Sequence, residues 1–287
     1  MKRLIQSLLT ICLCTSTAIA MAVTLPEHSP VPGGIAVIDL ESSAEHAPVV
    51  HCNNKPVMVL RHDNRWHAIV GLGLSTKAGE KELSSRVGSQ TQTHRFTVRD
   101  KEYESQYITI KDKRKVNPLK RDMERIGKER KQITTALAHW SEQRLDETLQ
   151  LDIPVEGRLS SPFGLRRFFN QQPRKPHSGI DIAAATGTPI SAPASGKIIL
   201  TGDFFFNGNS VFIDHGQGLV TMYCHMDRID VEEDQLVERG EQIGTIGMTG
   251  RVTGPHLHWS VSLNDARIDP NLIVPALATQ AELIKLQ

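Results

Sequence analysis

The chain is short of cysteine and of long apolar runs, and neither sign of charge dominates it. It has four cysteines, and Cys12 and Cys14 fall in an N-terminal stretch that reads as a removable leader. That leaves Cys52 and Cys224, in what read as different domains. They are expected to be buried free thiols, which argues against a disulfide-built scaffold. A formal net charge of +1 gives no basis for a nucleic-acid partner. Beyond the leader no stretch could cross a membrane. No H-E-x-x-H motif occurs, so a helical zinc site with a glutamate base is not indicated. There is no internal repeat and no low-complexity tract.

The leader itself is informative. "MKRLIQSLLTICLCTSTAIAMA" opens with Lys2 and Arg3, continues apolar from about Leu8, and reaches small residues around Ala18-Ile19-Ala20. This is the pattern of a secretory signal peptide over 1–22. It predicts a periplasmic or secreted protein of the cell envelope. A lipoprotein is not favoured, because Ile11 and Leu13 are bulky where a small residue would precede the cysteine.

The 287-residue chain, leader included, is long enough for two cores. It reads as mainly β, in three parts. Residues 23–116 carry strand candidates at 34–40, 57–62, 66–72, 94–98 and 105–110, with a hairpin turn around Asp63-Asn64-Arg65, as in a small sandwich or barrel. Residues 117–149 hold a connecting helix. Asn117 suits its N-cap and Pro118 its first turn, and Leu119, Met123, Ile126, Ile133, Leu137 and Trp140 trace an apolar stripe. The basic residues between Lys111 and Lys131 are expected to be a solvated face. Residues 150–275 return to short strands with Gly-rich turns, and 276–287 form a tail.

The chemistry is concentrated in that third part. "TGPHLHW" (253–259) sets His256 and His258 two apart, so on a strand both face one side while Leu257 points into the core. "HSGID" spaces His177 and Asp181 four apart in a segment whose Gly179, Ile180 and Ile182 disfavour helix. A catalytic zinc takes three nitrogen or carboxylate ligands plus water. His177, Asp181 and one histidine of the 256/258 pair supply that set. The other histidine and His225 remain as candidates to act as base and to stabilise an oxyanion. His215 reads as a structural residue near a hairpin turn. His62, His67 and His94 show no ligand pattern, and Cys224 should face away from His225.

The runs "FGLRRFFN…PHSGIDIAAATGTPISAPASGKI", "NSVFIDHGQGLVTMYCHM", "VERGEQIGTIGMTGRVTGPHLHW" and "RIDP", over about 155–273, resemble the lysostaphin/LytM-type zinc metallopeptidases. The first part resembles, less specifically, an N-terminal β domain of longer secreted members. The resemblance implies an antiparallel β-sheet groove with one Zn2+ on its floor, held by His177, Asp181 and His258. It implies that His225 and His256 act on the water and the transition state. It also implies peptidoglycan as partner and a metalloendopeptidase activity against its peptide cross-links. "RRFFN" and "GPHLHW" are most similar to envelope enzymes of Gram-negative bacteria, whose cross-links join D-alanine to diaminopimelate; lysostaphin itself cuts glycine bridges. The alternative is a non-catalytic peptidoglycan-binding module that activates another wall hydrolase. A regulatory envelope protein and the oligomeric state are left open.

Overall fold

The structure is a computed structural model and describes residues 24–145 and 149–277. The expected leader and most of the tail lie outside the described residues.

Two small sheets make the first part. Strands Ile35–Asp39, Arg65–Gly71 and Met58–His62 form one, with the middle strand in that order. Its hairpin turns on Asp63 and Asn64 alone, both with φ near +50 to +60°, the backbone that a two-residue turn joining twisted strands requires. Lys55–Pro56, Val49–Cys52, Gly79–Val87 and Gln90–Val98 form the other. In Gln90–Val98 only His94, Phe96 and Val98 are buried, a period of two that puts one face on a core. That core holds Ala36, Val50, Val59, Val70, Leu83 and Phe96. The back of the first sheet contributes Ile35, Met58, Leu60 and Ile69 to the main core of the third part. Burial on both faces explains the unbroken apolar runs at 57–60 and 68–70.

The helix spans Lys120–Leu137. Its expected N-cap is corrected. Asn117 instead ends a one-turn helix, Lys113–Val116, closing it on the carbonyl of Lys113 at 2.8 Å. Leu119 is the N-cap residue, and the Asp122 carboxylate reaches back to its N–H at 3.0 Å. Arg114 holds the same carboxylate. The stripe is rotated as well. Leu119 and Met123 are 47 % and 54 % exposed, whereas Asp122 and Glu129 are buried. Specific bonds explain this reversal: Glu129 accepts the Phe205 N–H at 2.8 Å and Arg125 besides, so the carboxylates are buried with partners. Further along, Ala136 and Leu137 pack on Phe204, Phe212, Val220, Met222 and Cys224, seating the helix on the third part.

Most of that third part is one antiparallel sheet. Along it run Leu236–Val237, Gly196–Phe204, Gly208–Gly216, Leu219–Ile229, Leu257–Leu263, Ile180–Ala183 and Arg158–Ser161. Leu257, Trp259, Val261 and Leu263 point into the core, with Tyr223, Ile180 and Ile182 beside them. The strand expected at 105–110 is present as Ser105–Ile108, but its partner is Arg166–Phe169, in parallel. It is thus tied to the third part.

Candidate metal centre and reaction site

Three neighbouring strands set the site. In register, Asp181 lies opposite His258 on one side and Ser161 on the other, and His258 lies opposite Cys224. His177 precedes its strand and is pinned by its main chain, with its N–H on the carbonyl of Leu165 and its carbonyl on the N–H of Gly164, both at 2.8 Å. Glycine at 179 is required here. A Cβ would lie 2.4 Å from the Trp259 carbonyl oxygen and 2.9 Å from the His258 ring.

This brings three ligand atoms to one point. His177 Nε2 is 2.9 Å from Asp181 Oδ1 and 3.0 Å from His258 Nδ1, and His258 Nδ1 is 2.8 Å from Asp181 Oδ1. His177 Nδ1 lies 2.8 Å from the Pro162 carbonyl oxygen, which can only accept. The ring proton therefore sits on Nδ1, and Nε2 presents a lone pair. His258 Nε2 faces Ser260 Oγ at 3.0 Å, which can take that ring's proton and free Nδ1 to ligate. Two imidazole nitrogens and one carboxylate oxygen then converge with no donor among them. That set suits a cation, and its composition is that of a catalytic zinc site.

Burial sets the charge states. It pushes His258 down to about 4, helped by the charges of His177 and Arg167 and opposed by Asp181. Burial works against the Asp181 carboxylate, but in the metal-free site the polar surroundings made by His177 and His258 outweigh it and hold the group well below the usual carboxylate range. Its second oxygen accepts from Arg167 Nη2 at 2.7 Å.

His225 and His256 stand beside this trio. His225 has φ +66° and sits where residues 224 and 225 together oppose Ser210, a β-bulge. A left-handed backbone at a residue other than glycine costs about 1–3 kcal/mol and clusters at functional sites. Its N–H bonds the Asn207 carbonyl at 2.8 Å, and Nδ1 donates to the Thr249 carbonyl at 2.9 Å. Burial, with the charges of His256 and His258, pushes this ring down to about 3. His256 Nδ1 donates to the Gly254 carbonyl at 2.8 Å, and its Nε2 is 3.9 Å from Asp181 Oδ1. The rings of His225 and His256 are 4.9 Å apart, and His225 is 6.2 Å from the ring of His258. Each thus keeps an unprotonated Nε2 when neutral.

The other candidates fall elsewhere. His215 is buried and bonds Ser195 and Thr221. The expectation for Cys224 is corrected: the bulge puts it opposite His258 in register, on the ligands' face of the sheet, where it packs under the helix and burial raises its thiol to about 12. Cys52 and Cys224 are both free. Sequence reasoning missed Arg167, Ser161, Ser260, Thr249 and Asn207, all of which hold site residues. Apart from the doubled arginine of "FGLRR", nothing in their spacing marks them.

Residues 175–270 match the model of peptidase family M23, and residues 28–101 match the peptidase family M23 N-terminal domain. The crystal structure of a putative peptidase M23 from Pseudomonas aeruginosa is 46% identical, with a TM-score of 0.73, and the match covers 85% of this chain and 95% of that one. The peptidoglycan DD-endopeptidase ShyA of Vibrio cholerae is 43% identical over 111 residues, 38% of this chain and 26% of that protein. The DD-carboxypeptidase/endopeptidase Mpg of Neisseria meningitidis is 42% identical over 116 residues, 40% of this chain and 27% of that protein. The match thus spans about a quarter of the length of these curated relatives. The match along nearly the whole Pseudomonas structure, together with the two family models, establishes that the chain belongs to peptidase family M23.

Proposed function

We propose that this protein is a zinc metalloendopeptidase that hydrolyses the peptide cross-links of bacterial peptidoglycan in the cell envelope, with D-alanine–diaminopimelate as the bond cut. The observation that carries this reading is the convergence of His177 Nε2, Asp181 Oδ1 and His258 Nδ1 on one point, with two further imidazoles alongside. The names of ShyA and Mpg point to the same substrate class.

His177, Asp181 and His258 would hold the metal. Bound there, zinc supplies a Lewis acid that polarises a carbonyl and brings the pKa of a water toward about 7. The chain supplies the proton handling. The Thr249 and Gly254 carbonyls fix the Nδ1 protons of His225 and His256, so each Nε2 can accept a proton. One of the two takes the proton of the attacking water. That proton would pass to the leaving amine, while the other ring, protonated from solvent before the step, would donate to the developing oxyanion. The signal-peptide pattern supports an envelope location.

A non-catalytic binding module has no need of an intact ligand set, and all five positions hold His or Asp here. The test is digestion of purified sacculi by the mature protein, with and without a zinc chelator, read as muropeptides. Chelator-sensitive conversion of cross-linked dimers to monomers is the expected result. Zinc-loaded protein that binds sacculi and leaves every dimer intact would favour the binding module.

A further inference from the structure

Asp181 is held at both oxygens, by different partners. Oδ1 faces the two histidine nitrogens, and Oδ2 accepts from Arg167 Nη2 at 2.7 Å. The Arg167 side chain is only 17 % exposed, so this bond is made largely out of water, where it is strong. Arg167 is held in turn. Its Nε donates to Gln106 Oε1 at 3.2 Å, and its Nη2 also reaches Ser161 Oγ at 3.2 Å. Gln106 Nε2 donates to the same hydroxyl at 3.4 Å, and that hydroxyl is 3.2 Å from His177 Nδ1. Gln106 lies directly opposite Arg167 in the parallel pairing of Ser105–Ile108 with Arg166–Phe169. Both residues fall outside the stretches matched by the two family models, 28–101 and 175–270.

We propose that Arg167 and Gln106 are positioning residues of the metal centre, Arg167 keeping Asp181 a one-oxygen ligand and Gln106 fixing Arg167. A carboxylate with both oxygens free can chelate a metal and fill the position a reacting water needs. The guanidinium on Oδ2 leaves Oδ1 alone to ligate. Its donors form a rigid planar fork, so bonds at Nε and Nη2 together set the plane. Strand Ser105–Ile108, far upstream in sequence, is therefore part of the working site.

This rests on the metal reading above, and the test separates the two. Full-length wild type, Arg167→Ala and Gln106→Ala are compared for zinc affinity by chelator competition and for the visible spectrum of the cobalt(II) form, with folding followed by thermal melting. In Arg167→Ala the cobalt bands should lose intensity, because Asp181 turns to chelate and the coordination number rises. Gln106→Ala changes no charge, so its zinc affinity reports positioning alone and should fall roughly tenfold, the low end of what such supporting bonds contribute. A wild-type cobalt spectrum in folded Arg167→Ala, or zinc affinity within about twofold of wild type in Gln106→Ala, overturns the proposal. Gln106→Ala carries the test alone if Arg167→Ala does not fold. Wild type that binds neither metal would instead sink the metal reading.

Discussion

The histidines of the two β regions are bonded differently. In the first, His94 is buried and bonds one hydroxyl, that of Ser85, at 2.8 Å, while His28 meets the main chain of Val37 near the surface. In the third part, His177, His225 and His256 each give Nδ1 to a main-chain carbonyl. A hydroxyl donates or accepts, so it leaves the tautomer of His94 free. A carbonyl only accepts, so it fixes the proton and aims Nε2. Residue type alone does not separate the two groups. A carbonyl is not enough, since His215 also sets Nδ1 on one, that of Ser195, and the proposed ligand His258 has the Ser260 hydroxyl behind it; on the proposed reading it is the sheet register that makes an imidazole a ligand or a base.

The largest way to break this contrast is to remove a ligand. His177→Ala or Asp181→Ala should leave no zinc by metal analysis and no cleavage of sacculi, and Asp181→Ala also strands Arg167 without its carboxylate. Next comes His256→Ala, which should keep zinc while turnover falls roughly 10²–10⁴-fold, the usual share of a positioned acid or base. Retention of both zinc and full turnover in that variant would remove His256 from the chemistry. Gly179→Ala places a methyl against the Trp259 carbonyl. It should lower stability by about 1–3 kcal/mol in denaturant unfolding and weaken zinc binding through His258.

Acid sharpens the comparison further. His225 and His258 have folded pKa values of about 3 and 4, below the roughly 6.5 of an unfolded histidine. Between these values the unfolded chain binds more protons, so stability rises with pH across about pH 3 to 6.5 and levels off above. Asp181, held low in the folded state, acts in the same direction, its contribution being lost as pH falls through its folded value. The melting temperature of metal-free protein should therefore fall on acidification through that window. A flat profile would mean the rings are not buried neutral. The smallest effect belongs to the first region. His94→Ala loses one bond to Ser85, costing about 1 kcal/mol, and leaves zinc content unchanged.

Much of the site was legible because strand periodicity is local. The spacing of His256 and His258 alone puts both on one side of Leu257, which is fully buried. The free state of Cys52 and Cys224 also agrees with expectation. Long-range bonds were not legible. Gln106 meets Arg167 only because two distant segments pair in parallel. The bulge at His225 depends on Ser210 across the sheet, and no residue near 225 announces a positive φ. Strand Gly79–Val87 is charged and poor in β-formers, and is held by nine paired residues of its neighbour, Gln90–Val98. The helix stripe misled because Asp122 and Glu129 are buried with partners supplied by Arg114 and Phe205.

On the proposed reading, one imidazole of the 256/258 pair holds the metal and its neighbour serves the reaction. The most direct measurement is zinc per chain, taken on the same preparations as sacculus cleavage, for wild type, His258→Ala and His256→Ala. The expected content is about one zinc, none and about one, with cleavage in wild type alone. Zinc and cleavage retained in His258→Ala, or zinc lost in His256→Ala, would contradict it.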